Sequence, residues 1–125
     1  MNREKPGADI AHRMLELAVG VVQAVQRSSR PFVLRHVREQ LIRAVTSAGA
    51  NYEEARHAES RADFIHKVGV SAKELAESLY WLRHFHRLRP HDQLPPLAIE
   101  TDQLVAILIA SRKTASARAP NPSLT

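Results

Sequence analysis

The chain has 125 residues, 18 Lys+Arg against 13 Asp+Glu for a formal charge of +5, and no cysteine. That length fits one domain with a real core. The lack of cysteine excludes disulfides, thiolate catalysis and cysteine-ligated metals and fits a cytoplasmic protein; the basic surplus is compatible with an anionic partner such as nucleic acid, so the placement of the charges matters more than their sum.

Residues 1–8 are polar, contain Pro6-Gly7 and lack the apolar run of a signal peptide, so they are expected as a flexible N-terminus. Asp9 is read as the N-cap of a first helix over about residues 10–26. Ile10, Met14, Leu17, Val21 and Val25 form one apolar stripe, and Leu15, Val19 and Val22 form a second beside it. A face this wide exceeds what one neighbouring helix covers, which predicts a subunit contact. Arg27-Ser28-Ser29-Arg30-Pro31 connects to a second helix, about residues 32–57, whose stripe is Leu34, Val37, Leu41, Ala44/Val45, Ala48, Tyr52 and Ala55. Gly49 inside that helix costs about 1 kcal/mol relative to Ala, and the expected return is close helix–helix approach among Ala44, Ser47, Ala48 and Ala50.

Ala58-Glu59 reads as a turn, and Ser60-Arg61-Ala62-Asp63 as a capping box with Asp in the fourth place. A third helix over about residues 61–88 carries the stripe Ile65, Val68, Ala72, Leu75, Leu79 and Leu82, with Tyr80, Trp81 and Phe85 near its end. At 1.5 Å per residue such a helix is roughly 42 Å long and must bury its face in a bundle. Pro90 stops it. A Pro-containing loop leads to a fourth helix, about residues 97–113, with Leu97, Thr101, Leu104, Val105, Leu108 and Ile109 expected inside. Residues 114–125 are small, polar and Pro-containing, and read as a disordered tail. No stretch offers the ~20 apolar residues of a membrane span, and no membrane partner is expected. The fold expectation is all-α: an antiparallel up-down-up-down four-helix bundle over residues 9–113.

The stretch over residues 40–88 resembles a known family. Gly49-Ala50-Asn51-Tyr52-Glu53-Glu54-Ala55, then Glu59-Ser60-Arg61-Ala62-Asp63-Phe64-Ile65-His66-Lys67, then Lys73-Glu74-Leu75-Ala76-Glu77-Ser78-Leu79-Tyr80-Trp81-Leu82 carry the likeness. They resemble the bacterial four-helix-bundle proteins related to those encoded within intervening sequences of large-subunit ribosomal RNA genes. That family is similar in fold to the accessory variability proteins of diversity-generating retroelements. The resemblance implies an up-down bundle assembled as a homo-oligomeric ring, often a pentamer. For the retroelement relatives it also implies a basic surface that engages nucleic acid and a reverse transcriptase. It supplies no catalytic residues.

In the up-down topology one pole collects Arg27, Arg30, Arg35, Arg38, Arg83, Arg87 and Arg89, with His36, His84, His86 and His91, opposed by Glu39 and Asp92. Arg83, Arg87 and Arg89 suit a helix C-terminus, but Arg35 and Arg38 stand near a helix start, where cations oppose the dipole. The reading is backbone phosphate binding to RNA or DNA, without base readout. The alternatives are a solvated face, or a scaffold oligomer with a protein partner such as a nucleic-acid-processing protein. Arg43, Asn51, Tyr52, Glu54, Arg61, Asp63, Lys73, Glu74, Glu77 and Trp81 are read as a network fixing register and assembly, with Lys73 and Glu77 facing each other four residues apart. No nucleophile, glycine-rich loop or oxyanion donor accompanies the carboxylates, so no enzyme and no cofactor is expected. Glu54-x-x-His57 and Asp63-x-x-His66 have di-metal spacing, but no further carboxylate is clearly level with them, and no metal is assigned.

Overall fold

The computed structural model describes residues 6–26 and 31–118. It contains four helices and, among the described residues, no strand: α1 Ala8–Val25, α2 Phe32–Arg56, α3 Arg61–Leu88 and α4 Leu94–Ala117. The heptad-like stripes become one core. Met14, Leu17, Val21 and Val25 of α1 meet Leu34, Val37, Leu41, Val45, Ala48 and Tyr52 of α2, Val68, Leu75, Leu82 and Phe85 of α3, and Leu94, Leu104 and Leu108 of α4.

Helices α2 and α3 make the main seam. Glu54 pairs with Lys67, Ala48 with Ser71, and Arg43 with Glu77, so residue number falls along α2 as it rises along α3. The small residues Ala44, Ala48, Ser71 and Ala72 are buried along it. They let the backbones approach closely enough for Ser71 Oγ to donate to the Ala48 carbonyl at 2.7 Å, which satisfies a hydroxyl with no access to water. The same reversal of order joins α3 to α4, where Arg61 reaches Arg118 and Arg112 lies over Gly69, and α1 to α4, where Arg13 reaches Glu100 and Gly20 abuts Leu97.

The helix ends refine the sequence reading. α1 begins two residues earlier than expected. Gly7, at φ 83°, is its N-cap, and Asp9 lies in the first turn, where its charge still favours the dipole. Gly7 is required twice over, because a Cβ there would also stand 2.5 Å from the Tyr52 hydroxyl. Ser60 caps α3 as anticipated, accepting from the Asp63 N–H at 3.0 Å. The return bond differs: Asp63 accepts from Glu59 N–H at 3.4 Å.

α4 departs most from expectation. It starts at Leu94, because Pro95 and Pro96 occupy a first turn whose N–H groups have no intrahelical acceptor to lose. It also runs through residues 114–117, expected as tail; no breaker precedes Pro120, and Arg61 Nη1 donates to the Arg118 carbonyl at 2.7 Å. With those ends added, α4 is long and apolar enough, by length and composition, to cross a membrane, contrary to the expectation that no such stretch exists. Thr101, Leu104 and Leu108 nonetheless pack into the core, and Glu100 is held by Arg13 on α1. Leu97 and Val105 are half-buried and Ile109 is exposed, so α4 turns a narrower face inward than its sequence suggests.

Candidate nucleic-acid interface

The basic end is assembled by three contacts. Arg38 Nη1 donates to the Gln26 carbonyl at 3.3 Å, joining the end of α1 to the first half of α2. His36 meets the Trp81 ring edge-on at 6.1 Å, joining α2 to the last third of α3. Gly20 of α1 lies against Leu97 at the start of α4. Arg35, Arg83, Arg87 and Arg89 are all exposed there, and Arg35 sits over the Phe32 ring at 5.2 Å. Arg83 and Arg87 have no ion-pair partner among the described residues. Arg27 and Arg30 lie outside the described residues. His86, in the last turn of α3, and His91, in the connection after it, hold the chain reversal: His86 Nδ1 accepts from the His91 N–H, and His91 Nδ1 from the Gln93 N–H, both at 3.2 Å.

On the neighbouring α2–α3 face Glu77 has other partners than the one expected. Lys73 does not engage Glu77. Arg43 reaches across from α2 to bind Glu77, and Glu74 at 3.3 Å, while Trp81 Nε1 donates to the same Glu77 oxygen at 3.0 Å. An indole donor and a guanidinium occupy Glu77, and Lys73 is left exposed. The Trp81 hydrogen bond, followed by Arg43, holds the Glu77 carboxyl below its ordinary range, against the opposing effect of partial burial. Glu54 pairs with Lys67, and Asn51 Nδ2 bonds back to the Ser47 carbonyl at 2.9 Å. Tyr52 is buried in the core, and desolvation raises its phenol pKa.

Trp81 in turn organises its neighbours. The Tyr80 ring stands edge-to-face on it at 4.9 Å, and His84 lies 5.7 Å from Trp81 and 5.8 Å from Tyr80. Tyr80 is 57% exposed. Phe85, from the same group of aromatics near the end of α3, is buried in the core. His84 Nδ1 is buried without a hydrogen-bond partner among the described residues.

A separate groove of about 570 Å³ lies between α1 and α2; its lining is mostly apolar, with Ala11, Leu15 and Ala18 on one side and Gly49 and Ala50 on the other, and polar at His12, Glu53 and Arg56. The expected close approach at Gly49 does not occur within the chain: a Cβ there would have nothing within 4 Å. Leu15 and Val19, the second stripe of α1, are exposed beside this groove. Among the described residues no group of three or more His, Asp or Glu is placed to hold a metal ion; His57 bonds the Glu53 carbonyl, and Glu54 is turned to Lys67.

These features define an all-helical protein of four helices, with a cationic end, an aromatic cluster beside it and a separate apolar groove. The chain belongs to the 23S rRNA-intervening sequence protein family, whose profile matches residues 8–110. It is similar to a solved structure from Bacteroides thetaiotaomicron, described as a protein of unknown function from the S23 ribosomal protein family. The two are 32% identical, with a TM-score of 0.74, over 83% of this chain and 98% of that one. No curated protein matches.

Proposed function

We propose that this chain is a non-enzymatic, ring-forming oligomer that binds nucleic-acid backbone through its basic end. The observation that carries the reading is the exposure of Arg35, Arg83 and Arg87 at the end where α1 and α3 finish and α2 and α4 begin, with no carboxylate among the described residues paired to the latter two. An up-down, antiparallel order of helices is supported by the descending pairs 54/67, 48/71 and 43/77. Assembly into a ring, a pentamer as the resemblance implies, is supported by the open groove and by exposed Leu15, Val19, Ile99 and Ile109. Repetition of the basic end around a ring would multiply its field.

The test is fluorescence anisotropy of labelled RNA and DNA across a salt series. Expected are dissociation constants on the order of micromolar that weaken steeply with salt, the mark of counterion release. Reversal to Glu at Arg35, Arg83 and Arg87 should flatten that dependence. No binding at low salt would overturn the reading and leave a scaffold whose basic end meets a protein.

A further inference from the structure

We propose that the outer stripe of α3 is a binding track for single-stranded nucleic acid, with one unpaired base stacked on Tyr80 and the backbone held by the flanking cations. The inference rests on the proposed phosphate binding and adds to it the strandedness of the ligand and the residue that senses it. Lys73, Ala76, Tyr80, Arg83 and Arg87 follow one another at steps of three, four, three and four residues, so they lie in one row along the helix, and all five are exposed. From Lys73 to Arg87 the row is about 21 Å long at 1.5 Å per residue, enough to follow several nucleotides of one strand. No carboxylate interrupts it. Glu74 and Glu77 point toward α2, where Arg43 neutralises both.

The aromatic in the middle of this row is unusual in how firmly it is held. Tyr80 presents more than half its surface to solvent, yet its ring is fixed edge-to-face against Trp81 and braced by His84. Trp81 is itself tied to Glu77 and touched by His36. The platform is therefore pre-organised, and stacking a flat π-system on it orders little that is not already ordered. Every base offers such a face, so the contact tolerates any sequence. A duplex has no such face to give, since its bases are stacked on one another and paired. The phosphate contacts serve both kinds of ligand, whereas Tyr80 serves only the single strand.

The experiment compares single-stranded and duplex oligonucleotides of equal length by anisotropy, on the full chain and three variants. Tyr80→Ala should lose about tenfold in affinity for the single strand and leave the duplex unchanged, while Tyr80→Phe retains both. Arg83→Glu with Arg87→Glu should weaken both ligands together. An abasic strand, with the phosphates but no base, should bind the native chain as weakly as the intact strand binds Tyr80→Ala. Circular dichroism and oligomer mass are recorded for each variant. Equal losses for single strand and duplex, or no loss with Tyr80→Ala, would overturn the stacking site while leaving phosphate binding in place. A fall in oligomer mass with Tyr80→Ala would overturn it too, because the ring would then be covered by another copy. No binding of either ligand at low salt would overturn both readings.

Discussion

Gly49→Ala separates the stability of the chain from its assembly. Gly49 lies inside α2, and a glycine there costs about 1 kcal/mol relative to alanine because its backbone has more freedom to lose. The usual compensation, a neighbour seated where the Cβ would be, is missing, since among the described residues no atom beyond the adjacent residues and the helix's own backbone lies within 4 Å of that position. The substitution should therefore stabilise the isolated chain by about 1 kcal/mol. For a domain of this size that is a rise in Tm of about 4 °C. If a second copy seats a helix in the groove of Ala11, Leu15, Ala18 and Gly49, the same methyl intrudes on the contact, and Gly49→Leu would fill it. Because assembly adds concentration-dependent stability, urea unfolding is best followed at dilutions where sedimentation velocity shows monomer, and the mass then measured at higher concentration. Expected are a higher urea midpoint for monomeric Gly49→Ala and a reduced oligomer mass for Gly49→Leu. A lower midpoint for the monomer would refute the reasoning about Gly49 within the chain. An unchanged mass for Gly49→Leu would remove the groove from the subunit contact.

Four further outcomes follow from particular contacts. Glu77 is held below its ordinary carboxyl range by Trp81 and then Arg43, so its contribution is present at neutral pH and fades as pH falls below the ordinary glutamate value of about 4.3 toward the depressed one; the urea-midpoint gap between native chain and Glu77→Gln should close in acid. Ser60→Ala removes the α3 cap and should cost about 1 kcal/mol by chemical denaturation, because the Asp63 N–H loses its acceptor. Arg61→Ala should speed hydrogen exchange over residues 114–118 and leave the seam of α2 and α3 protected, since the Arg118 carbonyl would lose its donor. Glu54→Ala removes a pair on the surface with Lys67 and should leave the urea midpoint of the monomer unchanged, so that a drop in oligomer mass would report assembly alone.

The sequence was most legible where one principle acted unopposed. The stripes of α2 and α3 are long, regular and bulky, and almost every residue in them is buried; only Ile65, near the start of α3, is left half-exposed. Misreadings arose where two principles competed and a neighbour in space decided. Pro95 and Pro96 look like the end of a loop by composition, yet the first turn of a helix accepts them at no loss of hydrogen bonds. Lys73 and Glu77 have the spacing of a pair along one helix, but Arg43 and Trp81 approach Glu77 from another helix and the next turn and leave Lys73 to solvent. Gly49 announces that something unusual happens in α2, while whether its neighbour is the same chain or another copy depends on the whole fold.

The proposed binding surface follows the same logic. Charge counting along the chain placed seven arginines at one pole, and the structure sorts five of them by what each already does. Arg38 is spent on a helix-end carbonyl, Arg35 lies on Phe32, Arg89 follows the end of α3, and Arg83 and Arg87 are exposed with no ion-pair partner among the described residues. Tyr80 and Phe85 are five residues apart in one helix and look alike in a list of aromatics, yet one is 57% exposed and the other 1%. Periodicity assigns Phe85 to the row of Leu75, Leu79 and Leu82, and Tyr80 to the row of Arg83 and Arg87. An aromatic that shares its row with leucines serves the core. One that shares its row with exposed arginines is placed where a ligand with both charge and flat rings would touch the two together.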